Sequence, residues 1–308
     1  MDIWREFDET MEKIIRFCNG YSIGIYGYGN GGKYLYHFLR RRNVAVDMII
    51  DPNDSIRGER TSIIHRPEII SRIDPEKYRL LITFKPNKEE MAYMNQYCFV
   101  ENHNTLLIRD LLYGVEDSKP TTLLSWTEKK YGLDIRKSDL SVALDDRNEY
   151  SASLEHALMD IIDNFSFSEN DSIFDYGCGK GSSILIFAYY GIKTIGGIEY
   201  DANLYNSCVK NLNALGIDSS YVVKGDARGF FDIDNFNYFY FYNPFKGATF
   251  DKVISNVEDS FRRNRRKITI IYSNPFCFES VTRNNIFKLT KQISSDFYIP
   301  DVDIFVTE

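Results

Sequence analysis

Histidine is scarce in this sequence and paired cysteine is missing. Its 308 residues hold four histidines and five cysteines, Cys18, Cys98, Cys178, Cys208 and Cys277, with no C-x-x-C spacing and no suitably spaced histidine beside them. A zinc site or a disulfide framework needs such clustering, so neither is expected, and we assign no metal. A basic excess is missing too: 37 Lys and Arg stand against 44 Asp and Glu, a formal net charge of −7. A chain of that sign has no global field to draw nucleic-acid backbones or anionic membranes. No apolar run nears the roughly 20 residues that span a bilayer. Asp2, Arg5, Glu6 and Asp8 follow Met1 directly, which is not the pattern of a targeting segment. These absences lead us to expect a soluble, cytoplasmic protein that engages neither nucleic acid nor membrane. A small molecule or a protein is left as the substrate.

What is present is two series of alternating strand and helix patterns. Ile3, Phe7, Met11, Ile14, Ile15 and Cys18 recur at helical spacing. Residues 21–26 then read as a buried strand running into Gly27, Gly29 and Gly32, a G-x-G-x-x-G turn before a helix carrying Leu35, Phe38 and Leu39. Glycines in that position allow a tight turn and close backbone approach, so that a phosphate can meet the helix N-terminus. The same turn also occurs in such folds with no ligand. A second strand over 44–50 ends at Asp51, where a ribose-binding acid would lie. Further strands are expected at 80–84 and 98–100, with helices at 88–96 and 106–112. Residues 1–112 thus read as a small Rossmann-like domain with a parallel sheet. It resembles the nucleotide-binding-like domains attached to bacterial surface-sugar enzymes, through IYGYGNGGKYLYHFL, Asp51 and the later HRPEII. That resemblance implies a nucleotide or nucleotide-sugar at Gly27, Gly29, Gly32 and Asp51.

Residues 113–149 carry polar punctuation, from Gly114, Asp117, Ser118, Lys119 and Pro120 to Asp145, Asp146, Arg147 and Asn148. They read as a connector with a helix at 123–131. From Ser151, a plausible N-cap, Leu154, Leu158, Ile161, Ile162 and Phe165 mark a helix that should cover a second sheet.

The second series opens on SIFDYGCGKG at 172–181, an apolar strand that ends in Asp175 and then Gly177, Cys178, Gly179 and Gly181. Two more acids follow at strand ends: Glu199 in GIEYD and Asp226 in GDA, with Ala227 after it. The dense aromatic run FNYFYFYNPF at 236–245 lacks polar alternation and reads as a central strand buried on both faces, ending in Asn243, Pro244 and Phe245. Residues 268–272 form the next strand, and 287–306 can supply an antiparallel pair. Each acid alone could be a solvated strand end; three in order, one per strand, form a pattern.

That pattern resembles class I S-adenosylmethionine-dependent methyltransferases over residues 150–308, through Tyr150, FDYGCGKG, GIEYD, GDA, YNPF and IIYSNP. The fold class implied is α/β: two Rossmann-like domains, the C-terminal one a class I methyltransferase sheet with an antiparallel last strand. The resemblance implies S-adenosyl-L-methionine as cofactor. Asp175 would engage its ammonium, the N–H groups around Gly177 and Gly179 its carboxylate, Glu199 its ribose hydroxyls, and Asp226 with the Ala227 amide its adenine. Tyr150, Cys178 and Gly181 complete the cofactor set. Asn243, Pro244 and Phe245 would sit beside the transferable methyl. In relatives that methylate nitrogen, an Asn or Asp side chain and a proline carbonyl accept the amine hydrogens and an aromatic ring stacks on the substrate.

The leading expectation is methyl transfer to a small-molecule acceptor, a sugar or nucleotide-sugar. Its alternatives are protein or other nitrogen methylation through the NPF motif, and a non-catalytic two-domain nucleotide sensor. No histidine falls in the motifs, His156 reads as a surface or packing residue, and no base is named. The cluster Arg262, Arg263, Arg265, Arg266 and Lys267 reads as a solvated helix end.

Overall fold

The computed structural model describes residues 3–53, 63–113, 121–138, 148, 150–168, 170–293 and 301–307. The connector residues singled out at 114, 117–120 and 145–147 lie outside that set. The chain divides into two compact units, Met1–Lys130 and Tyr131–Glu308.

In the first unit, α1 (Arg5–Cys18) buries Phe7, Met11, Ile14 and Cys18, the face its spacing predicts. Then come β1 (Ser22–Tyr26), α2 (Asn30–Arg41), β2 (Met48–Ile50), β3 (Ile64–His65), β4 (Tyr78–Ile82), α3 (Lys88–Gln96), β5 (Thr105–Leu107), α4 (Ile108–Tyr113) and α5 (Leu123–Tyr131). The sheet is wholly parallel, in the order β3-β2-β1-β4-β5. The order reverses between β1 and β4, and such a switch point opens a crevice at the carboxyl ends of the strands. Helix α5, expected in a connector, packs into this unit: Trp126 meets Phe7 at 5.5 Å between ring centroids, and the Trp4 indole N–H donates to Thr127 Oγ1 at 3.3 Å.

Two strands differ from expectation. Residues 44–47 are not strand, because α2 closes through Asn43 at φ +59° and the Val44 N–H turns back to the Leu39 carbonyl at 2.9 Å. Residues 98–100 are a turn and the fourth parallel partner is β5, read from sequence as the start of a helix. Asn104 decides this. Buried, it accepts the Val100 N–H at 2.7 Å and donates to the Cys98 and Pro75 carbonyls at 2.9 and 3.1 Å, with Cys98 at φ +62°. A local side-chain network of this kind outcompetes a ladder.

The second unit holds α6 (Glu155–Asp163), β6 (Ser172–Tyr176), α7 (Ser182–Tyr189), β7 (Thr194–Glu199), α8 (Ala202–Ala214), β8 (Val222–Lys224), β9 (Tyr238–Tyr242), α9 (Gly247–Arg263), β10 (Thr269–Ser273), α10 (Phe278–Thr282), β11 (Phe287–Ile293) and β12 (Val302–Thr307). Helix α6 starts from Leu154, so Ser151 is not its cap and Phe165 lies beyond its end. The seven-stranded sheet runs β11-β12-β10-β9-β6-β7-β8, with β12 antiparallel to both neighbours. That is the expected α/β sheet with an antiparallel last strand. β9 lies between β10 and β6. Its alternate residues serve two layers: Phe241 stacks on Tyr176 at 4.8 Å and meets Phe250 at 5.4 Å, while Tyr240 meets Phe187 of α7 at 5.5 Å. Each such ring contributes about 1.5–3 kcal/mol on burial, which explains an aromatic run with no polar alternation.

The arginine cluster is bound rather than merely solvated. Arg263 forks onto Asp234 at 2.7 and 3.0 Å, and Arg266 donates to the Phe236 and Ile233 carbonyls at 2.7 and 3.1 Å, tying the end of α9 to the segment before β9. Among the described residues no helix is long and apolar enough to cross a membrane, and no group of three or more His, Cys, Asp or Glu is placed to hold a metal ion.

Candidate functional site

The carboxyl ends of β6, β7, β8 and β9 open on one cleft. Asp175, Gly177, Cys178, Glu199, Asp226, Ala227, Asn243, Pro244, Phe245 and Tyr150 all line it, so the structure gathers nearly every residue picked from the second motif series. Gly179 and Gly181 are the exceptions: Gly179 lies under the Tyr150 ring and Gly181 caps α7.

Asp175 sits on the central strand, 3% exposed, and accepts the Ser183 hydroxyl of α7 on Oδ2. Burial pushes its carboxyl up to about 7, with the Ser183 hydrogen bond opposing and the Glu199 charge assisting. A carboxyl in that state ionises readily when a cation arrives.

The loop after β6 is shaped by close contacts. Gly177 has φ +79°, and a Cβ there would lie 2.5 Å from Pro244 Cβ; Gly179 has φ +54°, and a Cβ there would lie 2.1 Å from the Tyr150 ring. Only glycine meets both demands. Tyr150 is therefore a packing residue first: its ring covers Gly179 and its hydroxyl donates to the Ile135 carbonyl at 2.6 Å.

The loop N–H groups are already engaged, against the expectation that they await a carboxylate. Gly177 and Cys178 donate to the Ile198 carbonyl at 2.9 and 3.2 Å, Gly181 donates to the Cys178 carbonyl at 2.8 Å, and Gly179 donates to Glu199 Oε2 at 2.9 Å. The glycines give the cleft its shape and not its donors. Hydroxyls supply donors instead: Ser151, Ser153 and Ser182 line the same cleft.

Glu199 is held at both oxygens, with Oε1 accepting the Asp201 N–H at 2.8 Å. Burial raises its carboxyl, and the backbone hydrogen bonds partly offset this. The Tyr200 N–H is a third backbone donor to Glu199, so one lone pair stays open. Asp226 is occupied differently: Arg228 grips it through Nε at 3.1 Å and Nη2 at 2.6 Å, and its Oδ1 also accepts the Arg228 N–H at 3.0 Å.

At the end of β9, Asn243 adopts φ +42°, and its Oδ1 is buried with no hydrogen-bond partner among the described residues. A buried acceptor left bare costs about 1–3 kcal/mol, so this atom is set for a donor from the cleft. Asn148 clamps the turn: its side chain donates to the Asn243 carbonyl and its N–H to the Pro244 carbonyl at 3.1 Å. Phe245 is 6% exposed and packs at about 6.4 Å from Tyr176 and Phe241, so its ring belongs to the core and is not a free stacking face. Sequence reasoning left Asn148 in a connector and did not single out Ser183, Arg228, Tyr242 or Thr249. A basic residue two places after a motif acid, as Arg228 is, was the signal on offer; Ser183, eight residues from Asp175, gave none.

In the first unit, Gly27, Gly29 and Asp51 line a second cleft, whereas Gly32 does not. Gly32 lies against the Gly27 carbonyl, 1.9 Å from where a Cβ would sit, so it brings α2 onto β1.

No family model matches the sequence, and no curated protein matches it. Among solved structures, a mutant of MtNAS in complex with S-adenosylmethionine is similar at 15% identity and TM-score 0.40, over 49% of this chain and 62% of that one. A ribosomal protein methylase from Lactobacillus delbrueckii subsp. bulgaricus is similar at 12% identity and TM-score 0.40, covering 50% and 77%. A SAM dependent methyltransferase from Aquifex aeolicus is similar at 13% identity and TM-score 0.37, covering 49% and 89%. This chain thus spans under two thirds of the length of MtNAS. With every one of these TM-scores at 0.40 or below, the chemistry of the cleft is argued from its own residues.

Proposed function

We propose that the second unit binds S-adenosylmethionine and transfers its methyl group to a small-molecule acceptor of the sugar or nucleotide-sugar class. The observation that carries this is the convergence of Asp175, Glu199, Asp226 and Asn243, from four neighbouring strand ends, on one cleft. The donor set fits the cofactor's chemistry: a buried, readily ionised carboxyl for an ammonium, a backbone-held carboxylate for a ribose hydroxyl, and a strand-end acid for an amine. When bound, the cofactor supplies an electrophilic methyl on a sulfonium. The protein's part is then to align the acceptor and exclude water.

Asp175 balances the ammonium, and Glu199 receives a ribose hydroxyl on its remaining lone pair while keeping the loop in place. Asp226 takes the adenine amine once Arg228 swings away. Asn243 Oδ1 orients the acceptor by accepting its O–H or N–H hydrogen.

A nitrogen acceptor is the second reading, supported by that same bare oxygen. Its usual second partner, the Pro244 carbonyl, already accepts from Asn148, which favours an acceptor needing one hydrogen bond over an amine needing two. The test is to incubate the full chain with deuterated-methyl S-adenosylmethionine and a metabolite extract, then follow label by mass spectrometry. Label in small molecules supports the proposal. Label only in proteins would move the acceptor class, and no label with no cofactor binding would overturn it.

A further inference from the structure

The cleft of the second unit is narrow. Its cavity volume is about 90 Å³, below the roughly 300–1,000 Å³ of small-molecule sites. For S-adenosylmethionine, an adenosine carrying an amino-acid tail, to enter, a wall has to move. Most of the walls are fixed. The ends of β6, β7, β8 and β9 are locked in parallel ladders. Ser153, just before α6, is tied to the core: its N–H donates to Ser182 Oγ at 3.1 Å and its hydroxyl meets the Tyr240 hydroxyl at 3.3 Å. The wall that remains is the chain through Tyr150, which belongs to no helix or strand.

Tyr150 is held from outside the cleft. Its ring lies against Gly179, and its hydroxyl donates to the Ile135 carbonyl at 2.6 Å. Ile135 is fully buried, and its neighbours are fastened to the glycine loop. Lys180, in that loop, donates from Nζ to Asp134 Oδ2 at 2.7 Å and to the Lys137 carbonyl at 3.0 Å. Asn211 of α8 joins the two segments, donating to the Asp134 and Lys180 carbonyls at 3.0 Å each. The Lys180 ammonium also stands 5.6 Å from the Tyr150 ring centroid, within cation–π range. The two ends of the ion pair differ, with the Lys180 side chain 7% exposed and that of Asp134 57%. A buried ammonium depends on its anion, whereas a carboxylate half in water leaves the pair with little loss. Such a pair holds the segment in place and still opens.

We propose that Lys180 is a positioning residue for the cofactor: its pair with Asp134 latches residues 134–137 onto the glycine loop and, through the Ile135 carbonyl, keeps the Tyr150 ring where it narrows the cleft. Cofactor entry opens this latch, so the latched form competes with the bound one. Only the unlatched fraction takes up cofactor, and the apparent dissociation constant is the intrinsic one divided by that fraction. This rests on the assignment of the cleft to S-adenosylmethionine and adds a gating step that the glycine loop and the strand-end acids do not supply.

The test is surface plasmon resonance of the immobilised full chain with S-adenosylhomocysteine, which resolves association from release. Asp134→Ala, at an exposed position, should speed association by ~5- to 10-fold, between the effect of an exposed pair and that of a charged hydrogen bond. Release should stay within about twofold of wild type, so binding tightens. Lys180→Met, which keeps the stem and removes the charge, should act in the same direction, and the double variant should be no faster than either. Asp134→Glu, which keeps the anion, should return association to the wild-type rate. Should Lys180→Met fail to fold, the two Asp134 variants decide. A cleft merely disordered by the substitution would instead bind more weakly and release faster. Association unchanged or slowed in Asp134→Ala, or release accelerated in step with it, would overturn the latch alone. A wild-type chain that binds no S-adenosylhomocysteine would overturn the cofactor assignment and the latch together, which tells the two failures apart.

Discussion

Glu199 Oε2 accepts the Gly179 N–H at 2.9 Å, so the acid ending β7 holds the loop ending β6. The first unit repeats this relationship with Asp51 and the Tyr28 N–H at 2.7 Å. In both, the strand-two acid also caps the residue two ahead, Asp201 or Asn53. Each acid therefore has a structural duty besides any ligand duty. Glu199→Gln keeps an acceptor for only one of the two N–H groups, Gly179 or Asp201, and should cost less than Glu199→Ala, which should destabilise the second unit by about 1–3 kcal/mol by leaving the buried Gly179 donor bare. Urea unfolding of the two variants, followed by a probe in the second unit, separates them.

Asp175 gives a pH dependence with a defined sign. Burial holds its carboxyl at about 7, well above the 3.8 of an ordinary aspartate, so the folded state holds a proton that the unfolded chain releases. Its contribution to stability is full below pH ~4 and is lost as pH rises through ~7. A cationic ligand reverses the balance: S-adenosylmethionine affinity should rise with pH from 6 to 8, by up to tenfold per unit below the apparent value, and level off above it. Calorimetry in two buffers of different ionisation enthalpy should record proton release on binding. Asp175→Asn should flatten both trends.

Arg228 competes for Asp226. An exposed pair of this kind is worth 0–1 kcal/mol, so Arg228→Ala should barely move stability. It should leave S-adenosylhomocysteine binding equal or tighter. Asp226→Ala should weaken binding by ~10-fold, the value of one hydrogen bond to a charged acceptor. Weaker binding in Arg228→Ala would show that the arginine serves the ligand itself.

The Asn148 clamp on the Asn243 turn predicts a kinetic split. Asn148→Ala should lower turnover by ~10- to 100-fold through misplacement of the acceptor-side turn, with cofactor affinity within twofold of wild type. Asn243→Ala should do the same to turnover with no gain in stability, because removal of a bare buried oxygen is offset by the cost of alanine at φ +42°. Initial rates with deuterated-methyl cofactor, paired with thermal unfolding, check both.

Much of this site was legible in the sequence because strand-end acids and glycine loops are local patterns, and parallel strands bring their carboxyl ends to one edge. Asp175, Glu199, Asp226 and Asn243 needed only their order along the chain to be placed together. What stayed hidden depended on contacts distant in sequence. The N–H groups of the glycine loop look free until Ile198 and Glu199 are seen to take them. Phe245 reads as a stacking ring until Tyr176, Phe241 and Phe250 enclose it. Asn148 reads as connector punctuation until it reaches two carbonyls about 95 residues on. In the first unit, Asn104 turned an apparent strand into a turn by hydrogen bonds whose geometry leaves no compositional trace.

The most direct measurement is isothermal titration of the full chain with S-adenosylhomocysteine at pH 8, for the wild type and for Asp175→Asn. One saturable site in the wild type, weakened at least ~10-fold in a folded Asp175→Asn variant, is the result predicted. No binding to the wild type, or equal binding to both, would contradict the assignment of the second unit's cleft to S-adenosylmethionine.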